Sequence, residues 1–337
     1  MKAQRLESSG TPLVLKEIAT PIPGPGEVLV RIAAAGVCHS DLHLRDGHFP
    51  PFRIPLTLGH ENAGWVTELG EGVQGIKVGE PVVVYGGWGC GLCTYCQGGA
   101  EQLCDKARWS GLGPDGGFAE YMLVPSARHL IPAGDLDLGE AAALTDAGVT
   151  PYRAVKKAVS RLIPGSTALI IGFGGLGQYG LQYLKLLTSA RVIVVESSAS
   201  KRELAKSLGA DVVLDGTSEH LLEEVRAAAS DSISAALDFV GIDATLQLAA
   251  SALARQGLLV VVGLGGGVLP YSMLNVSSEV EITGSDWGSR NDLAEVVALA
   301  QGGALATSVR RFNLSQANEV LDMLGRGEIE GRAILIP

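Results

Sequence analysis

Four cysteines, Cys90, Cys93, Cys96 and Cys104, stand in the run GCGLCTYCQGGAEQLC with the spacing C-x2-C-x2-C-x7-C. Four thiolates so spaced can close a tetrahedral shell around zinc with no open position, which is a structural site. The same run is compatible with iron–sulfur ligation. The fifth cysteine, Cys38, lies in GVCHSDLH, residues Gly36 to His43, and Gly59-His60-Glu61 follows downstream. A thiolate and an imidazole supply two of the three protein ligands that a catalytic zinc needs beside its open position. Residue types alone leave the third ligand undetermined, because Asp and Glu are common.

A second chemistry is carried by Gly172-Phe173-Gly174-Gly175-Leu176-Gly177, which fits G-x-G-x-x-G after a strand-like run and before a helix-like one. The first glycine permits a tight turn, the second lets the backbone approach a pyrophosphate, and the third lets helix pack on strand. The helix N-terminus then offers N–H groups and partial positive charge to phosphates. Glu196, 22 residues after Gly174, ends the next strand-like run and can bond both ribose hydroxyls. An acid there repels a 2′-phosphate, so NAD is expected rather than NADP.

These groups need two kinds of scaffold. Residues up to about 150 read as β-rich, with strands expected at Val28–Ile32, Gly64–Leu69 and Pro81–Tyr85. From about 165 strands alternate with helices: Thr167–Ile171, Leu176–Leu187 (helix), Arg191–Glu196, Ser200–Leu208 (helix), Asp211–Leu214, His220–Ala229 (helix), Ala235–Phe239 and Leu258–Val262. That alternation predicts a parallel α/β sheet. A helix at Asp292–Ala300 and a short tail from Arg332 to Pro337 complete the chain.

The 337 residues are 47% hydrophobic and 18% charged, which predicts about two packed domains and excludes disorder. A net charge of −10 without a basic block argues against nucleic acid. No long uncharged apolar stretch or leader-like start is seen, so no membrane partner is expected and the location expected is cytoplasmic. The 45 glycines exceed the usual share of about 7%. Of these, 21 gather around the cysteine quartet, the GFGGLG turn and residues 257–267.

The order GVCHSDLH, GHE, cysteine quartet and GFGGLG resembles the zinc-dependent medium-chain alcohol dehydrogenases along the whole chain. The segment Leu144-Thr145-Asp146-Ala147-Gly148-Val149-Thr150-Pro151-Tyr152 is similar to that of bacterial secondary-alcohol dehydrogenases and carbonyl reductases. The resemblance implies a GroES-like β-rich catalytic domain (1–148), a Rossmann doubly wound NAD-binding domain (149–288) and a C-terminal return to the first domain (289–337). It also implies a small-molecule alcohol or ketone substrate and a homo-oligomer, a tetramer rather than a dimer.

The residue roles implied are specific. Cys38, His60 and Asp146 would hold a catalytic zinc, with Asp146 standing where many members have cysteine. Glu61 would be the acid beside the metal, and Asp41 the carboxylate that orients His60. Ser40 would touch the bound alcohol and pass its proton, by way of the cofactor ribose, to His43, while the hydride goes to the nicotinamide. His39 and Arg332 would face the pyrophosphate, Phe239 would contact the cofactor, and Val262 and Gly263 would lie at its nicotinamide end. Phe49, Trp109 and Trp287 would line the substrate pocket. His48, His129 and His220 match no ligand position. Polyol, aminoalcohol or aldehyde oxidation on the same scaffold, or dinucleotide binding without turnover, are the alternatives.

Overall fold

A computed structural model describes residues 1–48, 51–230 and 232–337. The chain forms two compact units, Met1–Asp146 with Ser289–Pro337, and Ala147–Gly288.

The first unit is built on β-sheets. A small sheet pairs Lys2–Leu6 with Val14–Glu17 and Leu56–Thr57. A seven-stranded sheet runs in the order Leu130–Pro132, Pro81–Val84, Glu61–Leu69, Val28–Gly36, Arg332–Ile336, Val309–Asn313, and Tyr121–Val124 also pairs with Val28–Gly36. Its core includes Val28, Val30, Ile32, Val82, Val84, Phe118, Met122 and Leu335, all buried. The C-terminal tail is therefore a strand inside this sheet, parallel to Val309–Asn313 and antiparallel to the first long strand.

That long strand outruns its predicted end at Ile32 and continues through Ala33-Ala34-Ala35-Gly36. Alanine and glycine are poor strand formers, so the run does not read as strand. The glycine at its end has a packing cause: a Cβ on Gly36 would lie 1.7 Å from Glu61 Oε2. Gly36 pairs with Glu61 in the register, so the buried Glu61 side chain occupies the space that a larger residue would need. The strand Glu61–Leu69 likewise starts earlier than the predicted Gly64.

Helix His39–Asp46 follows directly. Its N-cap is Cys38, whose N–H donates to the Asp41 side chain at 2.9 Å, and Gly47 ends it in the left-handed region. Helix Leu138–Ala143 leads into a π-helical turn, Leu144–Gly148, which continues as helix Val149–Ala158 in the second unit. Neither helix shows in the sequence as a long amphipathic run.

The second unit is a six-stranded, all-parallel sheet ordered Val212–Asp215, Arg191–Glu196, Thr167–Ile171, Ile233–Asp238, Leu253–Val261, Glu281–Gly284. Numbered along the chain this is the 3-2-1-4-5-6 order of dinucleotide-binding sheets. The central strand Thr167–Ile171 is buried at every residue, as the continuous apolar run predicts. Helices Gly177–Leu187, Ala199–Ser207, Leu221–Ala229 and Asp243–Ala252 connect the strands. The last of these, rich in alanine, has no counterpart in the sequence reading. The order reverses between the strands ending at Ile171 and Asp238, which opens a crevice at their carboxyl ends.

Among the described residues no helix is long and apolar enough to cross a membrane.

Candidate metal and dinucleotide sites

Cys38, His60, Glu61 and Asp146 converge with donor atoms within 4.8 Å of one another, and all four are buried. Asp146 Oδ2 lies 3.4 Å from Cys38 Sγ and 3.7 Å from His60 Nε2. A tetrahedral zinc with bonds of about 2.0–2.3 Å sets such donors about 3.3–3.8 Å apart, so the residues present fit that ion. The donors come from three places: the cap of helix His39–Asp46, the start of strand Glu61–Leu69, and the π turn.

Asp41, fully buried, draws two of these segments together. Its Oδ2 accepts the Cys38 N–H, its Oδ1 accepts the Gly59 N–H at 3.2 Å, and Oδ1 stands 3.4 Å from His60 Nδ1. One carboxylate is thus both helix cap and imidazole partner, an arrangement that orients a ligating histidine.

The electrostatics suit a cation. Burial pushes the Glu61 carboxyl up to about 7, against the pull of Arg332. Burial also opposes ionisation of Asp146, but the hydrogen bond and charge of His60, then the charge of Arg332, hold it well below the usual carboxylate range. Burial disfavours the charged His60, yet Asp41 and the hydrogen bonds around it raise its pKa well above 6.5. Protons and Arg332 balance this concentration of acceptors, and a divalent ion does so with better geometry.

Arg332, 4% exposed, lies in this cluster: its Nε donates to Glu61 Oε2 at 2.9 Å, its Nη2 donates to Glu61 Oε1, and Nη2 also reaches Asp146 Oδ2 at 3.2 Å. The sequence offered no sign of these partners, which lie far away along the chain. Thr145 is a second residue absent from the sequence candidates. Its hydroxyl accepts the Asn62 N–H at 3.1 Å and donates to Ala142 O at 2.8 Å. Its only sequence signal is its place beside Asp146.

Ser40 Oγ lies 3.9 Å from Cys38 Sγ. His39 is exposed and His43 half-buried, their ring centroids 6.4 Å apart, and His48 lies 5.6 Å from His43. Burial, then the charge of His48, lowers the His43 pKa below 6.5, with Asp46 opposing. Trp109 is half-buried on the short strand Arg108–Trp109 of the first unit. Trp287, half-buried in the second unit, has φ +43°. Phe49 lies outside the described residues.

The cysteine quartet also converges within 4.8 Å. Cys90 and Cys96 sulfurs are 4.0 Å apart, and Cys93 and Cys96 3.5 Å. These values straddle the edge of about 3.8 Å of a zinc–thiolate tetrahedron and are far beyond a disulfide bond. Backbone N–H groups of Cys90 and Lys106 point at Cys104 Sγ at 3.4 and 3.3 Å. Backbone N–H groups of Leu92 and Cys93 lower the Cys90 thiol to about 6, while burial pushes Cys96 up to about 12. The convergence of four sulfurs at these separations fits zinc. Glu101 accepts the Gly89 N–H at 2.9 Å, and Arg128 donates to Gly89 O at 2.9 Å, which braces the loop.

In the second unit, Gly172 turns at φ +87°, and a Cβ on Gly177 would meet Gly172 O at 2.2 Å. Around Gly174 nothing lies within 4 Å of such a Cβ, so its backbone faces open space. Gly175 and Leu176 complete the turn, with Leu176 at the helix N-cap. Glu196 Oε2 accepts the Phe173 N–H at 2.7 Å and Oε1 the Ser198 N–H at 2.8 Å, which sets the acid beside the turn. At the crevice, Val262 and Gly263 N–H groups both donate to Asp238 O. The half-buried Phe239 packs its ring where a Cβ on Gly180 would fall.

A buried metal-donor set on a GroES-like unit and a dinucleotide turn on a parallel-sheet unit define a metal- and nucleotide-dependent dehydrogenase class. Residues 24–135 match the alcohol dehydrogenase GroES-like domain, and residues 175–302 the zinc-binding dehydrogenase domain. The NAD-dependent alcohol dehydrogenase of Saccharolobus solfataricus is 40% identical over the full length of both chains. The solved alcohol dehydrogenase of Aeropyrum pernix superposes with a TM-score of 0.94 at 41% identity, covering 100% of each chain. The acetophenone reductase of Geotrichum candidum, solved with NAD, gives 0.89 at 36% identity, covering 100% of this chain and 97% of its own. The chain belongs to the zinc-containing medium-chain alcohol dehydrogenase family.

Proposed function

We propose that this protein is an NAD-dependent zinc alcohol dehydrogenase and ketone reductase, acting on small primary or secondary alcohols and the matching carbonyl compounds. The convergence of Cys38, His60, Glu61 and Asp146 in a member of this family carries the reading. Zinc in that donor set supplies a Lewis acid for the substrate oxygen, and NAD supplies the hydride acceptor.

The chain's own residues do the rest. Cys38, His60 and Asp146 hold the catalytic ion, Glu61 is the acid beside it, and Asp41 fixes the His60 ring. Ser40 accepts the alcohol proton, and His43, neutral at neutral pH, takes it on toward solvent. The turn from Gly172 to Gly177, with His39 and Arg332, binds the pyrophosphate, and Glu196 binds the ribose. Val262 and Gly263 border the nicotinamide, and Phe239 contacts the cofactor. Trp109 and Trp287 provide apolar walls that exclude water. Cys90, Cys93, Cys96 and Cys104 hold the structural zinc. Residues 1–148 with 289–337 act as catalytic domain, and 149–288 as cofactor domain.

The protein assembles as a homotetramer in the cytoplasm. The exposed Leu264, Val268, Met273 and Leu274, the last 98% exposed, in the segment before edge strand Glu281–Gly284 support self-association. Light scattering checks the subunit number.

The function is tested by following reduction of NAD, and separately NADP, with primary, secondary and cyclic alcohols, polyols and amino alcohols, alongside metal content. NAD-linked turnover of simple alcohols with two zinc ions per chain is expected. Turnover confined to polyols or amino alcohols overturns the substrate class, and dinucleotide binding without any turnover overturns the enzyme.

A further inference from the structure

We infer that Thr145 is a positioning residue for the Cys38–His60–Asp146 donor set, because its hydroxyl bolts the turn that carries Asp146 to the strand segment that carries His60 and Glu61. The inference rests on the reading of Asp146 as a metal ligand.

The donors belong to three segments that must keep a fixed spacing. Asp41 ties the first two together through the N–H groups of Cys38 and Gly59. The third segment is a π-helical turn, Leu144–Gly148. Such a turn is wider than an α-helical one and shifts the backbone hydrogen bonds from i−4 to i−5. A side chain inside it that bonds outward can therefore set where the turn lies.

Thr145 does so. It is fully buried, and its Oγ1 donates to Ala142 O at 2.8 Å while accepting the Asn62 N–H at 3.1 Å. Asn62 is the residue after Glu61, and its own Nδ2 donates to Gly59 O at 3.0 Å. A continuous set of bonds thus joins the residue before Asp146 to the residue before His60. Its outcome is the close approach of Asp146 Oδ2 to Cys38 Sγ and His60 Nε2.

The task requires one atom that both donates and accepts on a short side chain, which a hydroxyl does and a methyl cannot. The β-methyl of threonine also narrows the choice of χ1, so the hydroxyl is held on its partners. Gly117 backs Asn62 so closely that a Cβ there would lie 1.7 Å from Asn62 Oδ1. Both ends of the link are therefore held.

The test uses the full-length protein with cobalt in the catalytic position and zinc in the cysteine quartet. Thr145→Val and Thr145→Ala, with Thr145→Ser and Asp146→Ala as references, are compared by the cobalt d–d spectrum and by the rate at which a chelator strips each metal. Thr145→Val or Thr145→Ala should change the spectrum and release the catalytic metal about tenfold or more faster. The quartet zinc should leave at the wild-type rate, and Thr145→Ser should behave as wild type. A wild-type spectrum and release rate in both hydroxyl-free variants, with Asp146→Ala altered, overturns the inference alone. An Asp146→Ala variant with an unaltered spectrum overturns the ligand reading and this inference with it. Equal acceleration of both metals shows general loosening and overturns the positioning role.

Discussion

Arg332 lays its guanidinium along both carboxylate oxygens of Glu61 and reaches Asp146 as well, with all three side chains buried. Strand Arg332–Ile336 brings the arginine there, and strand Val28–Gly36 makes room for the glutamate through Gly36. A buried pair of this kind adds little net stability, but removing one partner strands a charge.

Arg332→Leu should therefore cost about 3–5 kcal/mol, because two buried carboxylates lose their shared cation. Adding Glu61→Gln should recover much of that loss. Urea midpoints of the single and double variants check this, and no recovery in the double variant would refute the account.

Replacing His43 tests proton movement. Burial and His48 lower its pKa, so the neutral form persists through neutral pH and can accept a proton. In His43→Ala, turnover should fall about tenfold or more near neutrality, with the deficit shrinking as alkaline solvent takes over the proton. A pH–rate profile identical to wild type would remove His43 from the path.

Glu196 should govern cofactor choice. Its carboxylate stands beside the glycine turn, held by the N–H groups of Phe173 and Ser198. Glu196→Ala should shift the NAD to NADP ratio of kcat/KM toward NADP by about tenfold or more, since a like-charge clash is removed. An unchanged ratio contradicts the role.

At Asp146 the donor can be exchanged for a softer one. Asp146→Cys gives zinc a second thiolate, and catalytic zinc should then be stripped by chelator more slowly. Unchanged retention in a timed chelation assay counts against the carboxylate as ligand.

His129 carries an acid-stability prediction. Burial, then the charges of Arg128, Arg290 and Arg108, depress its pKa to about 3. The unfolded chain protonates near pH 6.5, so it binds more protons than the folded chain between those values. The stabilisation is complete above about pH 6.5 and falls on acidification by up to about 1.4 kcal/mol per pH unit. His129→Gln should show a shallower acid loss of its urea midpoint than wild type between pH 6.5 and 4.5. Equal slopes would show that His129 does not titrate with unfolding.

The two sites differed in how far they could be read before folding. The quartet and the GFGGLG turn are local: their geometry is encoded within one loop or one strand–turn–helix. Cys38 and His60 were visible as residue types, and Asp146 only through the family resemblance, because one carboxylate among many carries no local mark. The strand extension Ala33–Gly36 was not legible, since alanine and glycine are poor strand formers and the Glu61 side chain that requires Gly36 comes from a distant strand. Thr145 and the partners of Arg332 were invisible for the same reason.

By itself the sequence determined the two chemistries and the class of scaffold, because short-range spacing and strand–helix alternation are properties of neighbouring residues. Only the tertiary structure decided which residues support the metal donors. Arg332 reaches Glu61 across 271 residues and Thr145 reaches Asn62 across 83. Contacts at that separation are selected by packing and by the need to satisfy every buried polar group, which spacing along the chain does not encode.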